Sequence, residues 1–378
     1  MTWLVPLADL DYQSEELKAV RNVLLSKWLT MGEVTQKFET AFSELTASRH
    51  AIAVSNGTQA LHLACLALGV GPGDEVIVPS LSFVATANAV LYCGADVRFA
   101  EIIGLDDLTI SPDSIEKNIT SRTKAIILMH YAGYPCRLPE IMAIAEKHHL
   151  PVIEDAAHAP GAMLDGKSLG RWGDLGCFSF FSNKNLSTGE GGMVTCERDD
   201  LAEKVRLQRS HGMTSLTYDR HQGHAFSYDV VELGYNYRID EIRSALGLQQ
   251  LAKLGRNNDR RRQITTSYWE AFKDLNVGLP FNGCARGKPS YHVFPLLLPP
   301  DLDRQKFMVG LRDAGVQSSI HYRPIHTFSF YREKYGVQHL PVTETIAQRE
   351  VTLPLFPNMT DDQVQIVIGA VRKLVKTG

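Results

Sequence analysis

Short apolar runs alternate with helix-like stretches along the first 155 residues. Residues 51–54 are all apolar, whereas Leu61, Ala64 and Leu68 recur at the three- to four-residue spacing of one helix face. This βα alternation predicts a mostly parallel sheet covered by helices on both faces. Further strands are predicted at residues 75–78, 97–99, 124–129 and 152–154, and helices at 14–24, 34–45, 83–91, from 111 onward and at 138–149.

The second half of the chain has a different pattern. Residues 214–234 are polar and irregular and too long for an ordinary connection, which predicts a functional loop or an interface segment. We predict a large domain over residues 1–250 and a small one over 251–378, with the N-terminal segment packing on the small domain. The elements expected in this half are strands at 192–196, 292–298 and 316–319, and helices at 199–210, 240–254, 257–275, 304–314 and after 360.

Composition narrows the class of protein. The 378 residues are 44% hydrophobic and 21% charged, and the formal net charge of −3 offers no basic surface for nucleic acid or an anionic membrane. No apolar run approaches the roughly 18 residues of a membrane helix, and the first residues lack the basic region of a signal peptide. Scattered cysteines without paired spacing predict reduced thiols in a cytoplasmic protein. They are Cys65, Cys93, Cys136, Cys177, Cys196 and Cys284.

Two strand ends carry candidate binding groups. Gly57 and Thr58 begin a helix directly after a predicted strand, and the free N–H groups and dipole there favour a phosphate. A plain helix cap is the alternative. Glu154 and Asp155 end another apolar strand, where buried carboxylates need a cation such as a protonated pyridine nitrogen or a metal ion. The alternative is an acid cluster at a helix start.

The third strand end carries Lys184, which follows an aromatic run at residues 176–181. An amine at the end of a buried strand is suited to forming a Schiff base, whereas a lysine pointing into solvent is the alternative. A phosphate site, a carboxylate for a ring nitrogen and a reactive amine are together what pyridoxal 5'-phosphate (PLP) requires. Phe83 is either an aromatic face for the cofactor ring or an ordinary core phenylalanine.

These motifs resemble those of the DegT/DnrJ/StrS family of PLP-dependent sugar aminotransferases, in the same order and over nearly the whole chain. The resemblance implies an α/β, aspartate-aminotransferase-like fold (fold type I), with a large mostly parallel sheet domain and a small α+β C-terminal domain. It also implies a homodimer with active sites shared between subunits. The matching segments are SNGT at 55–58, PS at 79–80, FVAT at 83–86, EDAAH at 154–158, FSF at 178–180, KN at 184–185, GEGG at 189–192, GYNYR at 234–238, HYRPIH at 321–326 and LPL at 353–355.

The resemblance assigns the main cofactor contacts. Lys184 is expected to form the Schiff base, and Asp155 to pair with the pyridine nitrogen. Gly57 and Thr58 are expected to bind the phosphate through backbone N–H groups, with the Ser179 hydroxyl assisting.

Three more residues receive cofactor roles from the resemblance. Phe83 is expected to stack on the ring, and His158 to lie near its 3-hydroxyl group. Asn236 is expected to reach the phosphate of the neighbouring subunit's cofactor.

Four residues are candidates for substrate contacts. Arg238 binds substrate or makes a salt bridge at a helix start. His321 and His326 face the substrate, or are packing and surface groups. Many relatives have Pro-Pro where this chain has Arg323-Pro324, so Arg323 adds a cation that could contact substrate phosphates. No further carboxylate or thiol completes a ligand set with the two histidines, so we expect no metal site.

The resulting hypothesis is a two-stage amino transfer. An amino acid, expected to be L-glutamate, donates its amine, and the keto group of a nucleotide-linked deoxysugar accepts it in aminosugar biosynthesis. A cyclitol ketone as acceptor and a non-catalytic PLP-binding regulatory protein are the alternatives. Relatives that remove a sugar hydroxyl have histidine at the lysine position, so Lys184 argues against that activity.

Overall fold

Strands and helices alternate through the first two hundred residues of the computed structural model, which describes residues 3–214, 227–283 and 286–377. The strands are β1 (His50–Val54), β2 (Glu75–Pro79), β3 (Asp96–Ala100), β4 (Ile102–Gly104), β5 (Asp107–Ile110), β6 (Thr123–Met129), β7 (Val152–Asp155), β8 (Met163–Leu164), β9 (Lys167–Ser168), β10 (Leu175–Ser179), β11 (Gly192–Cys196), β12 (Phe294–Leu297) and β13 (Glu350–Leu353). The helices are α1 (Ser14–Ser26), α2 (Glu33–Thr46), α3 (Gly57–Ala67), α4 (Ala85–Tyr92), α5 (Pro112–Asn118), α6 (Leu138–His148), α7 (Asp199–Arg209), α8 (Glu241–Phe272), α9 (Arg304–Asp313), α10 (Ser329–Tyr335), α11 (Pro341–Arg349) and α12 (Asp361–Thr377).

A seven-stranded sheet organises the larger part of the molecule. Its strand order is β1–β11–β10–β7–β6–β2–β3. The pairs β10–β7, β7–β6, β6–β2 and β2–β3 are parallel, whereas β11 runs antiparallel to both of its neighbours. The predicted α/β architecture with a mostly parallel sheet is therefore confirmed.

Helices cover both faces of this sheet because successive side chains of a strand point to opposite sides. Val76 and Val78 of β2 pack in one cluster with residues of α3, α4 and α7. Ile77 packs in the opposite cluster with Phe38 and Phe42 of α2 and with residues of α6. Side chains in both clusters are buried. The polar residues described below lie at the carboxyl ends of the strands, between the two clusters.

A smaller unit has its own apolar core. Strands β12 and β13 pair antiparallel, and Phe294, Phe307 and Val371 pack together over them. Val5 is fully buried in the same core, and its N–H donates to the Gly315 carbonyl at 3.1 Å. Helix α8 contributes to both cores, so the division of the chain near residue 250 stays a prediction.

Two predicted elements differ from the structure. The two helices expected at 240–254 and 257–275 form one helix of 32 residues, α8, which Asp240 caps by accepting from the Arg243 N–H at 2.8 Å. A glycine inside a helix costs only about 1 kcal/mol, and burial of the apolar side chains of Leu254 and Ile264, which lie on either side of Gly255, offsets that cost. The strand expected at 316–319 consists of two isolated bridges, Val316 to Val5 and Ser319 to Thr352.

Part of one expected segment lies outside the described residues. Of the irregular stretch 214–234, residues 215–226 are not described, and Cys284 is also outside the described ranges. The other five cysteines form no disulfide bond. Within the described ranges, no helix is both long and apolar enough to cross a membrane.

Candidate active site

A cavity of about 680 Å³ opens where the strands β1, β7 and β10 end. The carboxyl ends of parallel strands meet at one edge of a sheet, which is where open α/β sheets bind ligands. Eight of the twelve predicted site residues line this cavity. They are Gly57, Thr58, Phe83, Asp155, His158, Ser179, Lys184 and His321.

One wall of the cavity is the N-terminus of α3. Asn56 caps the helix and accepts from the Gln59 N–H at 2.9 Å, whereas the first N–H groups, those of Gly57 and Thr58, have no acceptor within the helix. A Cβ atom on Gly57 would lie 2.7 Å from the Ser179 Cβ, which is closer than real contacts allow. Glycine therefore permits the serine hydroxyl to approach two free N–H groups, an arrangement that binds anions.

Asp155 lies on the floor of the cavity at the end of β7. Its Oδ2 accepts from the Thr86 hydroxyl at 2.7 Å, and its Oδ1 accepts from the Ala157 N–H at 3.2 Å. Burial raises the pKa of Asp155, while these two hydrogen bonds and the nearby Lys184 act in the opposite direction. The carboxyl group is thus held in one orientation and would gain from a cationic partner.

Glu154, the neighbouring carboxylate, has a structural role. It accepts from His130 Nε2 at 2.9 Å and from the backbone N–H groups of Gly170 and Gly173 at 2.8 and 2.7 Å. The expectation that both carboxylates need an outside cation is therefore wrong for Glu154, whose oxygens already have donors. Within the described part of the chain, no group of three or more histidine, cysteine, aspartate or glutamate side chains could hold a metal ion.

Lys184 lies in the turn after β10, five residues beyond the last strand residue, Ser179. Its backbone N–H donates to the Phe181 carbonyl at 2.9 Å, which closes this turn. Burial lowers the pKa of Lys184 to about 8, and the Asp155 carboxylate only partly opposes that effect. A lysine with such a pKa is uncharged in about a tenth of molecules at pH 7, far more than an ordinary lysine, and the uncharged form is a nucleophile and a base.

The buried His158 and the half-buried Tyr322 form a hydrogen-bonded pair. The Tyr322 hydroxyl lies 2.9 Å from His158 Nε2, and burial lowers the pKa of His158, as do Lys184 and His321. The ring is therefore neutral. We assign the Tyr322 hydroxyl as the donor to Nε2, because the reverse direction would leave the buried hydroxyl proton without an acceptor. The ring proton is then on Nδ1, which is buried and has no partner among the described residues. Such a donor needs an acceptor, and a bound ligand would supply one.

Phe83 and His321 also line the cavity. The Phe83 side chain is 55% exposed and its ring centroid lies 6.1 Å from that of Tyr322. It is thus not a core phenylalanine. His321 Nδ1 lies 2.8 Å from the Thr352 hydroxyl, and burial, followed by Lys184, lowers the pKa of His321 to about 4.

The other four predicted residues do not line the cavity. Asn236 makes a single β-bridge with Ser210, and Arg238 lies two residues further on. Arg323 and His326 line a second depression of about 330 Å³. His326 is buried there, with Nδ1 2.6 Å from the Ser80 hydroxyl and Nε2 3.1 Å from a Glu344 oxygen, so both ring nitrogens have partners.

Sequence reasoning missed several lining or supporting residues. Thr86 belongs to the same matching segment as Phe83, at 83–86, and Tyr322 directly follows His321 in the segment at 321–326. Those positions gave a usable signal. Glu190 and Tyr237 also line the cavity and lie within the matching segments at 189–192 and 234–238, although no role was predicted for them. Gln59, Tyr92 and Asn183 line it as well, and their positions in the chain give no such signal.

The residues present fit PLP on structural grounds. The closely approached Gly57 and the free N–H groups beside Ser179 suit its phosphate, and Asp155 suits its ring nitrogen. The unpartnered Nδ1–H of His158 suits an oxygen acceptor such as the 3-oxygen of the ring. Lys184, with its lowered pKa, suits the covalent attachment.

Comparisons with known proteins agree with this geometry. The model of the DegT/DnrJ/EryC1/StrS aminotransferase family matches residues 10–372. The Methanocaldococcus jannaschii protein MJ1066 is 39% identical over 367 residues, which cover 96% of this chain and 95% of that protein. Helicobacter pylori PseC, an aminotransferase involved in the biosynthesis of pseudoaminic acid, superposes with a TM-score of 0.92 at 31% identity and full coverage of both chains. Streptococcus pneumoniae Spr1654 in its PLP form gives a TM-score of 0.92 at 26% identity, with 99% of each chain covered.

The fold and the site thus define a fold type I, PLP-dependent aminotransferase. The chain belongs to the DegT/DnrJ/EryC1/StrS aminotransferase family. The predicted fold, family, cofactor and enzyme class are all confirmed.

Proposed function

We propose that this enzyme transfers the amino group of an amino acid, expected to be L-glutamate, to the keto group of a nucleotide-linked deoxysugar. The observation that carries the proposal is that Lys184, with its pKa lowered to about 8, and Asp155 line one cavity with the free N–H groups of Gly57 and Thr58. Solved structures with a likeness to this chain include the sugar aminotransferase CalS13 of Micromonospora echinospora, with a TM-score of 0.90 at 28% identity.

PLP, when bound, supplies an aldehyde carbon that bonds to amines and a ring that accepts an electron pair. Gly57, Thr58 and Ser179 would hold its phosphate, and Asp155 would hold a proton on its ring nitrogen. Lys184 Nζ, where uncharged, would accept a proton from a substrate carbon and return it to another atom. One amine can perform both transfers, because the same group is an acid after it has been a base.

Polar side chains in the cavity suit a sugar. Gln59, Asn183 and Glu190 line it and offer both donors and acceptors to hydroxyl groups. Among the described lining residues, Lys184 is the one amine or guanidinium group. A nucleotide diphosphate would therefore need cations from beyond the cavity wall, and Arg323, directly after Tyr322 in the chain, is a candidate.

We extend the proposal to a homodimer whose subunits complete one another's sites. The segment after the undescribed residues exposes apolar side chains, with Val230 and Val231 56% exposed and Leu233 81% exposed. An exposed apolar run of this kind is typical of an interface. Asn236 lies close by in sequence and does not line its own cavity, so it is available for a contact to the partner's cofactor. Static light scattering should then give twice the 42.0 kDa mass of the chain, and a monomeric mass would contradict this part.

Isotope-traced product analysis tests the substrate proposal. The enzyme, PLP and 15N-labelled L-glutamate would be incubated with a panel of nucleotide-linked ketodeoxysugars, the same sugars without nucleotide, and a cyclitol ketone. We expect a labelled aminosugar nucleotide, seen by mass spectrometry. Labelled amine on the cyclitol alone would overturn the sugar assignment and leave the aminotransferase assignment intact.

A further inference from the structure

A buried row of three polar side chains leads away from the catalytic cavity. The Thr352 hydroxyl lies 2.8 Å from His321 Nδ1 and 2.5 Å from Glu350 Oε1. Glu350 Oε2 accepts from the His321 backbone N–H at 2.8 Å. Thr352 is fully buried and Glu350 is 1% exposed, so these contacts are shielded from bulk solvent. His321 is the member that lines the cavity.

The number of protons in this row limits its hydrogen bonds. The threonine hydroxyl has one proton, so it donates to only one of its two neighbours. When Glu350 is ionised, Thr352 donates to it and accepts from His321 Nδ1–H, which leaves a lone pair on Nε2. When Glu350 is protonated on Oε1, the direction reverses. Thr352 then donates to Nδ1, and the imidazole proton is on Nε2.

His321 Nε2 is the free end of the row. It makes no hydrogen bond within the described part of the chain, whereas Nδ1 is engaged by Thr352. The tautomer of a neutral histidine is set by the partner of its other nitrogen. Glu350 therefore decides whether His321 presents an acceptor or a donor to the cavity.

The Glu350 end of the row can change its charge near neutral pH. Burial raises the pKa of Glu350 to about 8, against the effects of Thr352, the His321 N–H and Arg304. His321 itself remains neutral there, because burial and Lys184 lower its pKa to about 4. Tyr131 and Tyr322 interact electrostatically with Glu350, and His158 and His292 with His321. Burial raises the pKa of both phenols and lowers the pKa of both imidazoles, so all four groups stay uncharged in this range.

We propose that Glu350 and Thr352 form a proton relay with His321 for the catalytic cavity. A substrate ammonium or hydroxyl group at Nε2 gives its proton to Nε2, Nδ1 passes its proton to the Thr352 oxygen, and Thr352 passes its own to Glu350. The N–H or O–H bond of the substrate breaks and an O–H bond on Glu350 forms. His321 is neutral before and after the transfer, and the carboxylate receives the proton. Glu350 and Thr352 are positioning residues, and His321 is the group that touches substrate. The relay relies on the proposed amino transfer only for its substrate.

Nitrogen NMR of histidine-labelled holoenzyme without substrate tests the relay. The two ring nitrogens of a neutral histidine have distinct 15N shifts according to which one is protonated, and a His321→Gln variant assigns the signals. We expect the proton of wild-type His321 to move from Nε2 to Nδ1 as pH rises through about 8. In Glu350→Gln, the amide would donate to Thr352 at every pH, so the proton should stay on Nε2. A wild-type tautomer that stays constant over roughly two pH units on either side of this transition would overturn the relay.

Kinetics of the amino-donor half-reaction give the second readout. Thr352→Val removes the hydroxyl and should slow the half-reaction about 100-fold, the low end for a positioned acid–base group, and abolish the pH dependence that Glu350 confers. Thr352→Ser restores the hydroxyl and should restore both. If valine and serine have equal effects, Thr352 is only a packing residue. Because the NMR result needs no substrate, a wrong substrate assignment cannot be mistaken for failure of the relay.

Discussion

Gly57 and Ser179 approach so closely that a Cβ atom on Gly57 would lie 2.7 Å from the serine Cβ. The two residues come from strand ends that are separated by more than a hundred positions, and the contact brings a hydroxyl to the N-terminus of α3. This part of the site therefore depends on the small size of residue 57.

Replacing Gly57 with alanine should weaken cofactor binding. The new methyl group would push Ser179 or the helix start aside, and overpacking of this kind costs typically about 1–3 kcal/mol, which corresponds to roughly a 5- to 150-fold rise in the dissociation constant of PLP. Fluorescence titration of apoenzyme with PLP measures it. Gly71→Ala is the control, because no atom lies within 4 Å of a Cβ there. Equal affinities in the two variants would contradict the role given to the close approach.

Thr86 should keep Asp155 ionised and oriented for catalysis, although it contacts no predicted ligand itself. Its hydroxyl donates to Asp155 Oδ2 at 2.7 Å, and removing it raises the pKa of that carboxyl further. Hydrogen bonds to charged groups contribute about 1.5–3 kcal/mol, so Thr86→Val should reduce the half-reaction rate roughly 10- to 100-fold. Thr86→Ser keeps the hydroxyl and should retain most of the rate. A fast valine variant would show that Asp155 needs no such donor.

Tyr322 should fix the tautomer of His158. Tyr322→Phe removes the O–H that donates to Nε2, so the ring proton is no longer confined to Nδ1. We expect the dissociation constant of PLP to rise about tenfold, which corresponds to the loss of one hydrogen bond of roughly 1.4 kcal/mol. The thermal midpoint of the apoenzyme should change little. Unchanged affinity would mean that His158 Nδ1 is not the donor that the cofactor uses.

The buried amine of Lys184 should make the stability of the apoenzyme depend on pH. Its pKa is about 8 in the folded chain, against 10.5 for an ordinary lysine. Between those values the unfolded chain binds a proton that the folded chain does not, so the free energy of unfolding rises with pH. Below about pH 8, the pKa of Lys184 in the folded chain, the amine is charged in both states, so the free energy of unfolding is lowered by the full cost of the desolvated charge. Lys184→Met should therefore stabilise the apoenzyme strongly at pH 7 and progressively less above about pH 8. Urea unfolding of both proteins at several pH values measures this, and a constant difference would contradict a lowered pKa.

Much of the fold could be predicted because its elements obey local rules. The apolar run of β2 and the helix spacing of Leu61 and Ala64 both place buried side chains in the two clusters that cover the sheet. The single long helix α8 could not be predicted, since Gly255 looks like a helix end until the burial of Asn257 is known.

The candidate site was predicted only where a motif marked it. Lys184, Asp155 and Gly57 each follow a buried strand, and the shared edge of a parallel sheet brings such positions together. Thr352 and Glu350 carry no such signal, because they meet His321 only through the pairing of Ser319 with Thr352 across the small unit. The positions of Arg323 and His326 outside the cavity likewise depend on how residues 320–327 turn, and sequence spacing does not encode that.

The central claim is that Lys184 performs the amino transfer, and a comparison of two lysine variants tests it most directly. Holoenzyme, Lys184→Ala and Lys147→Ala would each be mixed with 15N-labelled L-glutamate and an accepted ketosugar, and the labelled product followed by mass spectrometry. Lys147 is a matched control because it is an exposed lysine paired with Glu116. The account predicts wild-type product formation by Lys147→Ala and none by Lys184→Ala, together with loss of the visible absorbance of covalently bound cofactor. Product formation at the wild-type rate by Lys184→Ala would contradict it.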